Sequence, residues 1–579
     1  MNSSSLDLTE QARGTGLKRQ ESGSTLFAAI DGAVARDATR LAVVWIGEDG
    51  SRASIQAGEL HRAAMGRAHA LRRHGIASSE LVLLALPYSP DLLSSFLGAL
   101  YGAAIPAILP YVSDQPDVAA QVERVRRLAV AAEARAVICP PFLAAPLGDA
   151  LRGVSEVIDT SMLGSVAETG SVPASVRPES TALIQFTSGT TGGQKGVRVS
   201  NAAVLSFLEG LAPALEVTPR DVVVSWLPLY HDMGVITGLL LPLVQGIPTV
   251  LMSPTHWVRA PIVMLRAIHD FNGTLTWMPN FAFSHIARSV RDADLQGLDL
   301  SAWRLCMNGA EPVREDSIAA FCARLEAFGM RREIVRAGYG MAENVLTATL
   351  TSGPPRVDWV SAMDFQKRRI ASPVPASTAG ALAVVSNGSG LAGAEVAIAD
   401  DEGRLLPERE VGEILVRSPH LFDGYHLRPD LTAAAMRDGW FRTGDLGYLA
   451  GGELYISGRK KDLIIVRGAN ISPEEIEAIA DRTPGIQAGR AVAFGVADAD
   501  LGTERIVIVA ELRQPLPEAG GPRAVEAALR RAVLDSLGIA VGTVCFVERG
   551  WITKTSSGKL PRTTSRARYL EQFGETIGP

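Results

Sequence analysis

The residues TALIQFTSGTTGGQKGVRVS, Thr181–Ser200, are the most informative part of the chain. The run Ala182–Phe186 is short and apolar, which is typical of a buried strand. The seven residues after it hold three Thr, one Ser and three Gly, and Lys195 follows closely. Hydroxyls and backbone N–H groups in such a loop converge on an anion, and a Lys adds a mobile positive charge. This pattern predicts a strand that ends in a phosphate-binding loop.

Two other interpretations of this loop were weighed. A Walker-type P-loop requires Gly-Lys followed by Ser or Thr, and the order Gln194-Lys195-Gly196 excludes it. A flexible surface turn also contains many Gly and Ser residues. The apolar strand before the loop and the density of hydrogen-bond donors favour the phosphate site.

Short apolar runs alternate with longer helical patterns in the first part of the chain. Leu41–Ile46, Leu81–Leu86 and Ala136–Cys139 are predicted strands, and Ala57–His74 and Gln121–Ala134 are predicted helices. This alternation is typical of α/β layers whose strands are largely parallel.

The pattern changes after about residue 380. Glu395–Ala399, Glu413–Val416 and Glu453–Ser457 are short predicted strands among Gly and Asp turns, which indicates a distorted antiparallel β-barrel or sheet. From Lys461 onward the pattern predicts a small α+β unit. Its predicted helices are Pro473–Asp481 and Ala524–Leu537, its predicted strands are Ala491–Val496, Arg505–Leu512 and Val544–Glu548, and residues 513–523 form a predicted loop.

Composition limits the class of protein. The chain of 579 residues is 47% hydrophobic and 20% charged with a net charge of −6, so it predicts a large globular core and no basic surface for nucleic acid. Four widely spaced cysteines without a CxxC pair indicate reduced thiols in a cytoplasmic protein. The uncharged stretch Met233–Trp257 has the length of a membrane span, but its three Pro and three Gly favour a buried helix followed by a buried strand.

Later segments, in order, carry a family resemblance. They are GYGMAE (338–343), WFRTGDLGYL (440–449), GRKKDLIIVRGANISPEEIE (458–477) and KTSSGKLPR (554–562). Together with TSGTTGGQKG they resemble the signature motifs of the adenylate-forming superfamily, which includes acyl-CoA synthetases, adenylation domains, luciferases and fatty acyl-AMP ligases. The one departure is Gln194, where the family usually has Pro.

The resemblance implies a domain organisation. Residues 25–458 would form a large N-terminal domain of α/β layers plus the distorted β-barrel, and 462–579 a small mobile α+β lid domain. Residues 459–461 would be the hinge between the two, with Lys461 at its centre. Residues 1–24 are polar and Ser-rich, which predicts a mobile tail.

The resemblance also implies ATP and Mg²⁺ as cofactors and assigns roles. Glu343 would bind Mg²⁺, Lys559 would reach the substrate carboxylate and the α-phosphate, and His231 would lie at the mouth of an acyl tunnel. Asp445 and Arg459 would hold the ribose. The other predicted nucleotide-binding residues are Thr187, Ser188, Gly189, Thr190, Thr191, Gly192 and Lys195 in the loop, Asn308, Gly309, Ala310 and Glu311 along the adenine, Gly338, Tyr339, Gly340 and Met341, with Tyr339 stacked on the base, and Lys461 at the hinge.

Each single residue also has an ordinary structural interpretation. Without the motif around it, Glu343 is a solvated loop acid and Asp445 a cap of an Asx-turn. His231 is equally a core or capping histidine, and Lys559 a surface charge.

Three segments indicate which branch of the superfamily the chain resembles. SWLPLYHDMGVITG (225–238), WMPNFAF (277–283) and MNGAEPVR (307–314) resemble the fatty acyl-AMP ligase branch, and residues 352–387 resemble its insertion, which directs the acyl-adenylate to a carrier protein. The predicted partners are a fatty or related carboxylic acid and a separate phosphopantetheinylated carrier protein. Two alternatives stay open: an acyl- or aryl-CoA synthetase, and a non-catalytic adenylate-binding scaffold.

Overall fold

A nine-stranded mixed sheet forms the centre of the computed structural model, which describes residues 24–111, 117–164, 176–187, 195–466, 469–498, 503–514, 521–537, 539–554 and 560–574. The order of its strands is Ser389–Gly390, Thr347–Leu350, Val335–Gly340, Leu305–Gly309, Leu275–Pro279, Val223–Ser225, Thr249–Met252, Leu41–Ile46 and Arg52–Gln56. The strands from Val335–Gly340 to Leu41–Ile46 run parallel, and those at the two edges are antiparallel. The predicted largely parallel α/β layer is therefore confirmed.

Two smaller sheets pack beside it. One is fully parallel, in the order Ile105–Ile108, Leu81–Leu84, Ala136–Cys139 and Glu156–Asp159. The other is antiparallel, in the order Gly424–Tyr425, Gly196–Ser200 and Thr181–Phe186. The strand before the predicted phosphate loop and the strand after it thus pair as a hairpin.

Helices cover the sheets. They are Leu26–Arg36, Ala57–Arg73, Pro90–Tyr101, Val118–Ala131, Pro141–Ala150, Asn201–Ala214, Asp232–Val235, Ile236–Leu240 (a π turn), Leu241–Gln245, Pro254–Arg259, Ile262–Asp270, Asn280–Ser289, Asp292–Leu295, Glu315–Leu325, Ala362–Arg368, Pro429–Ala435, Pro473–Arg482, Gly521–Leu537 and Arg562–Phe573. Within the described ranges, none of them has the length and apolar character that crossing a bilayer requires.

The uncharged stretch Met233–Trp257 folds as predicted. It supplies most of a buried helical run that continues to Gln245 and stops at Gly246, which adopts the left-handed conformation that Gly tolerates best. The strand Thr249–Met252 follows, and all four of its residues are buried inside the nine-stranded sheet. Its apolar character is that of a protein core.

An antiparallel sheet follows in the chain. Its strands are Glu395–Ala399, Gly412–Arg417, Met436–Arg437, Trp440–Ala450 and Glu453–Arg459. Residues of the predicted insertion form the hairpin Val357–Ser361 and Ala381–Val385 with the helix Ala362–Arg368 between its strands. Val360 and Phe365 of the insertion share a buried cluster with Tyr448, so the insertion is part of the core here.

The C-terminal unit has its own buried core. Its strands are Ile464–Val466 paired with Ala469–Ile471, and a sheet of Ile486–Asp498, Thr503–Leu512 and Thr543–Val547. The helices Pro473–Arg482, Gly521–Leu537 and Arg562–Phe573 complete it. This agrees with the α+β unit expected after Lys461.

Several predicted boundaries were wrong, including those of the strand predicted at Ala491–Val496, which is Ile486–Asp498. The helix predicted at Gln121–Ala134 is Val118–Ala131, because the Asp117 side chain accepts a hydrogen bond from the Ala120 N–H (2.9 Å) and starts it earlier. The strand predicted to reach Leu86 ends at Leu84, and the loop predicted to reach residue 523 gives way to a helix at Gly521. Of the predicted tail 1–24, only Ser24 belongs to the described residues.

Candidate active site

A backbone hydrogen bond joins the two ends of the Thr-rich loop. The N–H of Thr187 donates to the carbonyl of Lys195 at 3.0 Å, directly beyond the hairpin pair Phe186 and Gly196. Both ends of the loop are therefore held together, as a phosphate cradle requires. The predicted nucleotide contacts Ser188, Gly189, Thr190, Thr191 and Gly192 lie outside the described residues.

Tyr425 joins the loop lysine to the predicted metal ligand. The Nζ atom of Lys195 lies 4.6 Å from the centroid of the Tyr425 ring, and the Tyr425 hydroxyl donates to Oε1 of Glu343 at 2.7 Å. The short strand Gly424–Tyr425 pairs with Gly196–Ser200, which brings Tyr425 beside the loop. One tyrosine thus holds a cation and a carboxylate at the same place.

The backbone around Glu343 is tightly constrained. A Cβ atom on Gly340 would meet the carbonyl oxygen of Leu346 at 1.6 Å, so only Gly fits there. The Phe422 N–H donates to the Glu343 carbonyl at 2.8 Å, and Val345 takes a φ of 61°, a strained value for a β-branched residue. Such strain is common at functional sites and requires surrounding structure that enforces it.

The environment of Glu343 controls its charge. Burial raises the pKa of Glu343 above its ordinary value, and Asp232 acts in the same direction. The Tyr425 hydrogen bond and the positive charge of Lys195 lower that pKa and so favour the carboxylate. A divalent cation would stabilise the ionised form further.

The donor set around Glu343 decides whether the site suits a metal ion. Within the described part of the chain, no group of three or more His, Cys, Asp and Glu side chains is arranged to hold a metal. Mg²⁺ commonly takes only one or two protein carboxylates and completes its coordination with phosphate oxygens and water. Glu343, with Asp232 close enough to affect its pKa, fits that mode.

His231 lies on the same side of the site. One of its ring nitrogens, Nδ1, is 2.9 Å from Oδ1 of Asp232, and the histidine precedes the helix that begins at Asp232. The turn before it is compact, because a Cβ atom on Gly234 would lie 2.0 Å from the Pro228 carbonyl oxygen. A quarter of the His231 side chain is exposed, so it is not a core histidine.

Three side chains converge on Asp445. Tyr339 donates from its hydroxyl to Oδ2 at 2.8 Å, and Nε of Arg459 lies 3.0 Å from Oδ1. The Asp445 N–H donates to the hydroxyl of Thr443 at 3.0 Å, which fixes the turn. These contacts fix the orientation of the Asp445 carboxylate.

Tyr339 is bound at both ends of its side chain. Its ring packs in a buried cluster with Ala348, Ile398, Ile414, Val416 and Leu454. Burial and the neighbouring Asp445 raise the pKa of its hydroxyl, which stays a donor. The sequence predicts a stacking ring at this position and does not anticipate the hydroxyl contact with Asp445.

Lys461 is electrostatically coupled to both ends of the site. Loss of hydration lowers its pKa, as do the positive charges of Arg459 and Lys195, while Asp462 and Asp445 raise it. The predicted hinge residue is thus within electrostatic range of Lys195 and of Asp445. The strand Glu453–Arg459 ends just before it, and a short 3₁₀ turn, Lys460–Asp462, contains it.

The predicted adenine segment lies at the ends of parallel strands. Nδ2 of the buried Asn308 donates to Oδ1 of Asn280 at 3.1 Å, while its own Oδ1 has no partner among the described residues. A Cβ atom on Gly309 would stand 3.1 Å from the Gly338 carbonyl, and Ala310 adopts a φ of 66°. Ligand crevices of α/β sheets form at such strand ends.

Glu311 closes the other side of this segment. Its Oε2 accepts a hydrogen bond from the Phe281 N–H at 2.9 Å. Lys554 of the C-terminal unit lies 5.8 Å from the Phe281 ring, and Glu311 raises its pKa, against the dominant lowering by burial. Met341 packs against the buried cluster that contains Tyr339.

The C-terminal unit docks on this face. Nη1 of Arg314 is 3.6 Å from Oδ2 of Asp481, and Nη1 of Arg482 is 3.8 Å from Oδ2 of Asp316. The predicted catalytic Lys559 lies outside the described residues, as does Gly468, which the resemblance would place against the incoming thiol.

Two members of the site were missed from the sequence. Asp232 follows His231 directly, so a carboxylate next to a candidate histidine was an available signal. No signal in the sequence pointed to Tyr425, because its partner Glu343 is 82 residues away and only the short strand pairing brings the two together.

The sequence of the chain matches a known family and several known proteins. The family model described as AMP-binding enzyme matches residues 30–426. The chain is 32% identical over 516 residues to the medium-chain-fatty-acid–[acyl-carrier-protein] ligase JamA of Moorena producens, covering 85% of this chain and 86% of that one. It is 31% identical over 552 residues to the putative fatty-acid–CoA ligase fadD25 of Mycobacterium tuberculosis, covering 90% and 93%.

The fold has solved counterparts. A structure from work on fatty acyl-adenylate ligases of E. coli and L. pneumophila superimposes with a TM-score of 0.86 at 26% identity, covering 95% of this chain and 99% of that one.

Proposed function

The chain belongs to the AMP-binding enzyme family, and from this premise we propose that it activates a fatty carboxylic acid with ATP. A carboxylate oxygen attacks the α-phosphorus, the bond to the β-phosphate oxygen breaks, and an acyl-adenylate and pyrophosphate result. The acyl group then passes to the phosphopantetheine thiol of a separate carrier protein, which releases AMP. The relative JamA, named as a medium-chain fatty-acid ligase for acyl carrier protein, supports both halves.

The observation that carries this proposal is the presence of two clusters in which a positive and a negative side chain meet at a tyrosine or at a carboxylate. Lys195 and Glu343 meet at Tyr425, and Arg459 and Tyr339 meet at Asp445. Lys461 is coupled to both. A site with one end for phosphates and another for a ribose suits a nucleotide, and the family membership makes that nucleotide ATP.

The chemistry requires charge to be neutralised. Both the substrate carboxylate and the triphosphate are anionic, so the site must reduce their repulsion and stabilise charge on the phosphoryl oxygens. Mg²⁺, when bound to Glu343 and the phosphates, would supply part of this positive charge. Lys195 would supply another part from the loop, and Tyr425 would keep both groups in position.

The other residues would orient the reactants. Asp445 would accept the ribose hydroxyls, held by Tyr339 and Arg459, and residues 308–311 would border the adenine. His231, oriented by Asp232, would face the acid as it approaches the α-phosphorus. Orientation of this kind lowers the barrier by removing the entropy cost of aligning the groups.

The domain arrangement belongs to the same proposal. Residues 459–461 act as a hinge, and the lid 462–579 alternates between two orientations. One would deliver Lys559 to the carboxylate, and the other would bring Gly468 and its neighbours to the incoming thiol. A hinge needs only a few residues to absorb the backbone change.

The insertion favours a carrier protein over free CoA as acceptor. Its helix Ala362–Arg368 contacts the lid, where Nε2 of Gln366 donates to Oε2 of Glu475 at 3.3 Å. An insertion that is buried in the core and linked to the lid restricts the lid's movement. A CoA synthetase stays the second candidate, because the relative fadD25 is named as a putative fatty-acid–CoA ligase.

Pyrophosphate release tests the function. The full chain is incubated with ATP, Mg²⁺ and a panel of carboxylic acids, and CoA and a phosphopantetheinylated carrier then compete for the adenylate. We expect pyrophosphate with fatty acids and acyl transfer to the carrier. Acyl-CoA as the main product would support the second candidate, and no pyrophosphate with any acid would support the non-catalytic scaffold.

Removing the insertion's contact with the lid should change the acceptor. In Gln366→Ala the loss of one hydrogen bond frees the lid, and we expect acyl-CoA formation with free CoA to rise about fivefold. The matched control is Lys367→Ala, an exposed neighbour on the same helix. Equal CoA use by both variants and the unchanged protein would contradict the role of this contact. Deleting all of 352–387 is a poor test, because it removes Val360 and Phe365 from a buried cluster.

Tyr339→Phe should weaken ATP binding. A hydrogen bond to a charged group contributes about 1.5–3 kcal/mol, so we expect the KM for ATP to rise at least about tenfold while kcat changes little. Tyr448→Phe is the matched control, because it removes a Tyr–Asp hydrogen bond of similar length (2.9 Å to Asp358) away from the site. Initial rates at varied ATP measure both, and an unchanged KM in Tyr339→Phe argues against the ribose assignment.

We also place the protein in the cytoplasm, on the chemistry of its cysteines. All four are free thiols, and Cys139, Cys306 and Cys322 are buried. A reducing compartment suits such thiols.

A further inference from the structure

A small cavity lies between two strands near the start of the phosphate loop. The strands are Ile105–Ile108 and Thr181–Phe186, and the segment just before and after His231 closes the space. The residues that line it are Phe96, Pro106, Ile108, Leu183, Ile184, Gln185, Leu229, Tyr230 and Val235. Its volume of about 10 Å³ admits about one water molecule, or one group of similar size.

The wall of the cavity is mostly apolar, and it contains the polar side chain of Gln185, whose amide lacks hydrogen bonds to the described residues. Gln185 is 7% exposed, and neither its Oε1 nor its Nε2 has a hydrogen-bond partner among the described residues. Leu183 and Gln185 alternate with Ile184 along the strand, so their side chains share one face. A buried amide with both groups unpaired is costly, and natural proteins rarely leave one without a function or a bound partner.

The cavity adjoins the site described above. Gln185 stands two residues before Thr187, and Tyr230 directly precedes His231. The same two segments therefore carry the wall of the cavity and the two predicted site residues Thr187 and His231. A substrate that reaches His231 with its carboxylate can extend its chain toward Gln185.

We propose that Gln185 recognises a hydroxyl group on the acyl chain, so that the preferred acid is a hydroxylated fatty acid. This inference rests on the proposed function and specifies its substrate. The amide offers one acceptor and one donor group, and a hydroxyl both donates and accepts, so it satisfies the two together. An oxo group satisfies only Nε2, and a charged group has no counter-ion in this wall. The size of the cavity suits one such substituent.

A panel of acids tests this directly. Saturated medium-chain acids that carry a hydroxyl at each position in turn are compared with the unsubstituted acid, and kcat/KM is measured by pyrophosphate release. Sites that hydrogen-bond a substrate hydroxyl discriminate strongly against its absence. We expect one hydroxyl position to be preferred over the unsubstituted acid by about tenfold or more. Equal values at every position would overturn the inference and leave the proposed function intact.

Two variants assign the preference to the amide. Gln185→Leu keeps the volume but removes both polar groups, so the preference for the hydroxylated acid should disappear while the unsubstituted acid is activated at least as well. Because an unpaired buried amide is removed, its thermal unfolding temperature should equal or exceed that of the unchanged protein. Leu183→Val alters the same face without changing polarity and should keep the preference. A preference that survives in Gln185→Leu would refute the role of Gln185, and an absence of pyrophosphate with every acid would refute the proposed function and this inference together.

Discussion

Glu343→Gln should lower kcat/KM for acyl-adenylate formation by about 100- to 1,000-fold. The amide has nearly the same shape as the carboxylate and can still accept the hydrogen bond from Tyr425, so the pocket is preserved. What is lost is the negative charge that would hold Mg²⁺ against the phosphates. Pyrophosphate release at a series of Mg²⁺ concentrations measures the effect, and the variant should require far more Mg²⁺ than the unchanged protein.

The control for this variant is Tyr425→Phe. It removes the hydroxyl that donates to Glu343 but leaves the carboxylate, so we expect a smaller loss of about tenfold. The thermal unfolding temperature of Glu343→Gln should be unchanged or slightly higher than that of the unchanged protein, since burial already disfavours the charged form. A Glu343→Gln protein with an ordinary rate and an ordinary Mg²⁺ dependence would refute the metal assignment.

The local elements were predictable because each depends on short-range pattern. Leu41–Ile46 and Ala136–Cys139 were predicted with their observed bounds, since each is an apolar run bounded by polar or turn residues. Glu395–Ala399 was predicted equally well beside Gly and Asp turns. The helix at Val118–Ala131 was misplaced because an Asp cap four residues before the predicted start determines where it begins.

The contacts of the site depend on topology and were not predictable in this way. Tyr425 reaches Glu343 only because a two-residue strand pairs with the strand that follows the loop. Tyr339 reaches Asp445 across 106 residues of chain. The incomplete bonding of Gln185 is likewise invisible in the sequence, where it is one polar position in an apolar strand.

The insertion shows the same limit in another form. In the sequence, residues 352–387 resemble a segment inserted into the common domain of the superfamily, which suggests that the segment is separable. In the fold, Arg409 and Tyr448 both bind Asp358 within it, at 3.0 and 2.9 Å. Its hairpin is therefore tied to the antiparallel sheet, and its helix reaches the lid through Gln366. A segment with these contacts can transmit strain between the antiparallel sheet and the lid, so the proposed effect of the insertion on the acceptor would be mechanical.

Lys559→Ala is expected to lower adenylation by about 1,000-fold, the scale of losing a charged group that stabilises the transition state. The segment KTSSGK holds two lysines, and Lys554 is the rival candidate because it lies over Phe281 beside Glu311. Lys554→Ala removes a docking contact of the lid, so we expect a loss of only about tenfold. Pyrophosphate release by the two variants compares them directly.

The second half of the reaction separates a catalytic role from a structural one. If the lid alternates between two orientations, Lys559 acts only in the first, so Lys559→Ala should still transfer the acyl group from a supplied acyl-adenylate to the carrier thiol at nearly the ordinary rate. A misfolded lid would lose both halves together, because under this proposal the same unit would present the segment around Gly468 to the thiol. Loss of adenylation in Lys554→Ala with retention in Lys559→Ala would reverse the assignment and identify the lysine beside Phe281 as the one that meets the substrate.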